Sequence, residues 1–212
     1  MFSSRRQLAA TFLAACAVAG LTAGCGGSAD DDPAAAPPVD TTSAPADLRW
    51  ENLYGVRVPT SKSAGPSAGE TRMGYAQTPQ GAVLAAIRGQ VTLAMSSDNS
   101  WGKAVSYITA PGPGRDEFVA NRAVVSVTAG EVPAGQAPKF VGFKVTDYQS
   151  GDPITAGVQI AQQIGSPPEL FAYPVALQWI EGDWRIVLPT AAEDIDAVEL
   201  DNLDGFTLLE DK

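Results

Sequence analysis

Between residues 171 and 188 the side chains Phe171, Tyr173, Val175, Leu177 and Trp179 alternate with smaller or polar ones. Trp184, Ile186 and Leu188 resume the alternation after Glu181-Gly182-Asp183. A period of two puts one set of side chains on one face of a strand, and a short break carrying Gly and Asp turns the chain back on itself. The pattern predicts an antiparallel hairpin with one apolar face to cover. Upstream, residues 139–148 are rich in β-formers and Ser150-Gly151-Asp152-Pro153 signals a turn. Ile154, Ala156, Val158 and Ile160 then share one face of residues 154–163. The second half of the chain therefore predicts a curved antiparallel sheet of about four strands.

The covering layer comes from the first half. Thr78 can cap a helix and Pro79 suits its first turn, while Val83, Leu84, Ile87, Val91 and Met95 recur every three or four residues. Residues 101–108 predict a second short helix, ended by Ala110-Pro111-Gly112-Pro113-Gly114. A third helix starts near Arg115 with Phe118 and Val119, and Val124, Val125 and Val127 can extend it or open a strand. Helices first and a meander second predict an α+β domain with N-terminal helices packed on the sheet.

That order, with the unit Val175-Ala176-Leu177-Gln178-Trp179-Ile180-Glu181-Gly182-Asp183-Trp184-Arg185-Ile186-Val187-Leu188, resembles the NTF2-like, or cystatin-like, cone. The resemblance covers about residues 75–189. Upstream, Gly74-Tyr75-Ala76-Gln77-Thr78-Pro79-Gln80-Gly81-Ala82 resembles secreted proteins and lipoproteins of high-GC Gram-positive bacteria, some linked to conjugative elements. The resemblance implies an extracytoplasmic binding or assembly role, in conjugative transfer or other envelope machinery, and no defined catalytic residues.

The amino-terminal end predicts where the domain sits. Arg5 and Arg6 precede an uncharged apolar stretch over residues 8–24, which reads as a signal peptide. It closes on Leu21-Thr22-Ala23-Gly24-Cys25, which resembles the lipobox of bacterial lipoproteins. In that family the cysteine is acylated and becomes the first residue. Leu13-Ala14-Ala15-Cys16 competes for the role but leaves a shorter apolar run. The expected divisions are a signal peptide at 1–24, lipidation of Cys25, and a Gly/Pro/Asp-rich disordered tether over 25–47. An extended arm over 48–74 and a domain over 75–212 with an acidic tail follow. The expected location is the extracytoplasmic face of the cell membrane, through a palmitate-type lipid anchor.

Charge and residue usage narrow the chemistry. Fourteen basic against 24 acidic residues give a net charge of −10, which argues against nucleic acid as a partner. Cleavage before Cys25 removes two arginines and no acid, leaving 12 basic residues against 24 acidic and a net charge of −12. Acyl chains rather than basic patches would then hold the body to the membrane. With no His in the chain, Cys16 removed and Cys25 acylated, the usual bases, thiol nucleophiles and soft metal ligands are gone. No metal or cofactor is expected, and the expected function is non-enzymatic binding of an envelope protein.

The alternative is a small-molecule carrier, isomerase or hydrolase that uses a cone cavity. Relatives such as ketosteroid isomerase place Asp and Tyr in one, and Asp147, Tyr148, Tyr173 and Tyr75 are the matching raw material here. Asp147 adjoins a turn and reads as a solvated carboxylate, and Tyr173 reads as a core ring. Trp101, Trp179 and Trp184 are candidates for an aromatic partner-binding patch, with core packing the favoured use and Trp179 and Trp184 pairing across the hairpin turn. The acids crowding the last 20 residues lack calcium-loop spacing and interleave with Ile195, Val198, Leu200, Leu203, Phe206, Leu208 and Leu209, so a packed tail with a solvated acidic face is expected. Gly65-Pro66-Ser67-Ala68-Gly69 lacks the Gly-Lys-Ser/Thr end of a phosphate loop.

Overall fold

The computed structural model describes residues 38–67 and 73–210. The expected signal peptide, Cys16, Cys25 and the tether up to residue 37 lie outside the described residues, as do residues 68–72 of the arm and the last two of the tail.

The domain is α+β. Two strands, β1 (Leu48–Leu53) and β2 (Val56–Ser61), come first, then the helices α1 (Pro79–Met95), α2 (Trp101–Ile108) and α3 (Pro113–Arg122). The strands β3 (Lys139–Gln149), β4 (Thr155–Ile164), β5 (Glu169–Ile180) and β6 (Asp183–Val187) follow, and β7 (Val198–Glu199) and β8 (Thr207–Leu208) close the chain. The main sheet has six strands in the order β6-β5-β4-β3-β8, with β7 on β5, and all its strand pairs are antiparallel.

The meander β3 to β6 is the one expected, and it turns where the sequence indicates. Glu181 and Gly182 form a two-residue turn with φ of 52° and 81°, the mirror-image geometry that matches strand twist and that glycine adopts at no steric cost. The sheet is larger than the expected four strands because the acidic tail adds β7 and β8. Each is only two residues long, too short to carry a readable periodicity. The stretch after α3 settles into neither a helix nor a strand, and Val124 is 85% exposed.

Helix α1 begins as expected. The Thr78 side chain accepts the Gly81 N–H at 3.1 Å, and Pro79 occupies the first turn. The helix lies against β2, β4 and β6, and Val83, Leu84, Ala86 and Ile87 are buried. They meet Phe143, Val158, Ile160, Leu177 and Trp184 in one core. Burying such side chains contributes roughly 1.5–3 kcal/mol each, and helix-on-sheet packing is what holds this architecture together.

One expected form and one expected boundary change. The arm is a β-hairpin rather than an extended strap, and its Val56 and Val58 are core residues. The tether ends earlier than residue 47. Gln80 Nε2 donates to the carbonyls of Asp40 and Ser43, Thr207 Oγ1 donates to that of Thr42, and Ser61 Oγ donates to that of Ala46. Pro45 is buried. These contacts use backbone carbonyls, which every residue has, so composition could not foretell them.

Candidate functional site

The two stretches that stood out in the sequence touch each other. Asp183, at the start of β6, is buried, and its Oδ2 accepts the Gly74 N–H at 2.7 Å. Its Oδ1 accepts the N–H groups of Tyr75 at 3.2 Å and Trp184 at 2.9 Å. Trp184 Nε1 donates to the Ala76 carbonyl at 2.9 Å, and Tyr148 Oη donates to the Gln77 carbonyl at 3.1 Å. The entry to α1 is thus latched to the β5–β6 hairpin. Gly81 completes the fit, because a Cβ there would collide with the Ala76 carbonyl.

The aromatic candidates separate into three places. Trp184 is 2% exposed and sits edge-on to Trp179, 5.3 Å between ring centroids, and to Tyr148 at 6.0 Å. It is a core ring, so it offers no surface to a partner. Trp101 shares no ring contact with this cluster: it is half-buried at the start of α2, with the Arg122 guanidinium over its ring at 5.2 Å. The three tryptophans therefore do not make one patch. Tyr173 is half-buried on β5 opposite Ile160, and Asp147 is exposed and accepts from Gln149 Nε2 at 3.2 Å.

Tyr75 and Trp184 do border a cavity of about 120 Å³ between the β1–β2 turn, α1 and α2. Leu53 and Tyr54 come from the turn, Ala85, Arg88, Gly89 and Thr92 from α1, and Tyr107 and Ile108 from α2. Arg88 is the residue that the sequence reading missed. It is 6% exposed, its Nη2 is ion-paired with Glu51 Oε1 of β1, and its Nε has no hydrogen-bond acceptor among the described residues. A signal was available: Arg88 is the single charged residue of α1 and lies four after Leu84 and three before Val91, on an apolar face.

Burial pulls the Arg88 guanidinium down to about 10, with Tyr107 opposing the fall, so it remains a cation at neutral pH. Burial likewise raises the Tyr107 hydroxyl above the ordinary range, with Tyr54 adding to the rise and Arg88 opposing it. Burial also raises that of Tyr148. Both phenols therefore stay protonated around neutrality. The site is a small aromatic-walled pocket with an ion-paired guanidinium in its wall.

Two further features lie outside this cavity. An apolar groove of about 680 Å³ runs along Leu93, Pro111, Val175, Ile186, Leu188 and Ile195. Asp98 gathers Arg122 Nη2 at 3.0 Å, Ser126 Oγ at 2.8 Å and the Val127 N–H at 3.0 Å, which ties the segment after α3 to the start of α2. Among the described residues no group of three or more His, Cys, Asp or Glu is placed to hold a metal ion, and no helix is long and apolar enough to cross a membrane.

No curated protein and no solved structure matches the chain. Residues 15–208 match the family described as Domain of unknown function (DUF8175), and with a match over that span the chain belongs to this family.

Proposed function

We propose that the protein is a lipid-anchored lipoprotein of the extracytoplasmic membrane face, whose NTF2-like α+β domain is a non-enzymatic binding or assembly module serving envelope machinery such as a conjugative apparatus. The NTF2-like reading is supported by the order of three helices followed by the β3 to β6 meander, with α1 laid across the sheet. The anchor is supported by the lipobox-like Leu21-Thr22-Ala23-Gly24-Cys25, fifteen positions before the docked Asp40.

The observation that carries the binding role is the 680 Å³ groove. Its wall includes Val187 at 40% and Ile195 at 53% exposure, apolar side chains left for another surface to cover. A photo-crosslinking amino acid at position 195, in the lipidated protein in its own membrane, is expected to give a discrete adduct with an envelope protein that the same label at Val124 does not give. No adduct from position 195, or the same adducts from both positions, overturns the reading. Metabolic labelling with a clickable palmitate tests the anchor separately. Label lost in Cys25→Ala and kept in Cys16→Ala is expected, and the reverse moves the anchor to Cys16.

The Arg88 cavity favours the carrier reading as a second one, on a small scale. About 120 Å³ is well under the roughly 300–1,000 Å³ of ordinary ligand pockets, so only a ligand of a few atoms fits.

A further inference from the structure

We propose that the groove bordered by β5, β6, α3 and the arc over residues 190–196 docks a basic amphipathic helix of a protein partner. The apolar side chains of that helix fill the groove and its lysines or arginines meet the acidic rim. This deepens the envelope-binding role and rests on it, since it names the chemistry of the segment that covers Val187 and Ile195.

Main-chain recognition is closed off in this groove. β6 pairs with β5 from Ala176 to Ile180 and β7 pairs with it at Phe171 and Ala172, so the edge of β5 between them is open. The middle residue of that gap is Pro174, which has no N–H to give to an added strand. The outer edge of β6 is taken as well, since the Ala110 N–H donates to the Ile186 carbonyl at 2.8 Å. A partner therefore binds here through side chains, and the wall of Leu93, Val175, Ile186 and Leu188 calls for apolar ones. A helix presents such side chains at three- and four-residue spacing while satisfying its own backbone.

Charge selects the kind of helix. Glu193 lines the groove, and Asp194 and Asp196 flank Ile195 on the same exposed arc. Glu117 Oε2 accepts the Ala191 N–H at 3.1 Å, which sets the first turns of α3, with Asp116 and Glu117, against that arc. Against these acids Arg115 is the single basic residue among those lining the groove. A second copy of the chain brings its own net charge of −10, and an anionic bilayer is negative too, so both are repelled where a basic helix is drawn in.

The test uses the full-length protein in phosphatidylcholine nanodiscs, with empty discs as the blank, and fluorescently labelled peptides of about five helical turns. One peptide carries leucine at three- and four-residue spacing and lysine elsewhere. Another has glutamate in place of each lysine, and a last one has the composition of the first with leucine and lysine in strict alternation. Anisotropy is expected to show saturable binding of the first, at least about tenfold tighter than either of the others. Arg115→Glu is expected to tighten it, and Asp194→Asn with Asp196→Asn to weaken it, each by about threefold to fivefold. Ile195→Asp separates docking from simple attraction, because it is expected to weaken binding although it adds an acid. No saturable binding of the first peptide, tighter binding to Ile195→Asp, or equal binding of the alternating peptide overturns the proposal. Preference for the glutamate peptide overturns the basic assignment. In the cell, the segment crosslinked from position 195 is expected to carry lysine or arginine at helical spacing among apolar residues. An adduct through an acidic segment overturns this inference and leaves the envelope-binding role standing, whereas no adduct at all overturns that role.

Discussion

The carboxylate of Asp183 accepts the backbone N–H of Gly74 at 2.7 Å, joining residues 109 positions apart. Because Asp183 also holds the Tyr75 and Trp184 amides, its side chain satisfies three backbone donors at once. Removing it leaves these donors without their acceptor in a largely buried setting. Asp183→Ala is expected to destabilise the domain by about 3 kcal/mol, read from urea unfolding, with Asp183→Asn intermediate because one oxygen remains.

Two glycine-to-alanine substitutions are expected to move stability in opposite directions. At Gly102 in α2 a new Cβ meets no atom within 4 Å, so the better helix propensity of alanine stabilises by about 0.5–1 kcal/mol. At Gly81 in α1 the same change drives a methyl into the Ala76 carbonyl, the acceptor of Trp184 Nε1, and destabilises by about 2 kcal/mol. Thermal unfolding of the two variants side by side checks the sign of each.

The Arg88–Glu51 pair is asymmetric in exposure, with side chains 7% and 26% accessible. Glu51→Gln strands the deeper charge and is expected to cost about 3 kcal/mol. Arg88→Met leaves a carboxylate that water still reaches and fills part of the space with an apolar chain, so it is expected to cost less. Denaturant midpoints of both variants and of the double variant give the coupling; equal costs would contradict this order.

Acid sensitivity has a defined window. Asp40 is held at about 2 by the Ser43 hydroxyl and then by the Ser43 and Thr42 amides, and Asp98 is held below its ordinary value by Val127, Ser126 and Arg122. A carboxylate with a lowered folded-state pKa contributes stability that is complete above the unfolded value of 3.8 and is lost as pH falls through the folded value. The unfolding free energy is therefore expected to fall between about pH 4 and pH 2, and Asp98→Asn to flatten that fall. A pH profile of denaturant midpoints for the two proteins measures it.

The parts legible in the sequence are those carried by long patterns. Thr78-Pro79 marked the start of α1, the 101–108 stretch became α2 as expected, and alternation located β3 to β6. What escaped notice depends on contacts distant in the chain. Val198 and Thr207 enter strands because β5 and β3 offer open edges, and Asp40 to Ala46 dock through carbonyls that no side-chain pattern reveals. Of the site, Tyr75 and Trp184 are legible as aromatic candidates, whereas Arg88 lies hidden within an apolar helix although its spacing puts it on the buried face.

The stitching of Thr42 to Thr207, together with the Trp50 Nε1 bond to the Glu210 carbonyl at 3.2 Å, sets the entering and leaving chain side by side. Tension applied at both ends would open these few polar links one after another, as a zipper opens, before any shear reached the packed interior. A body sewn this way withstands being held from one end far better than being stretched between two.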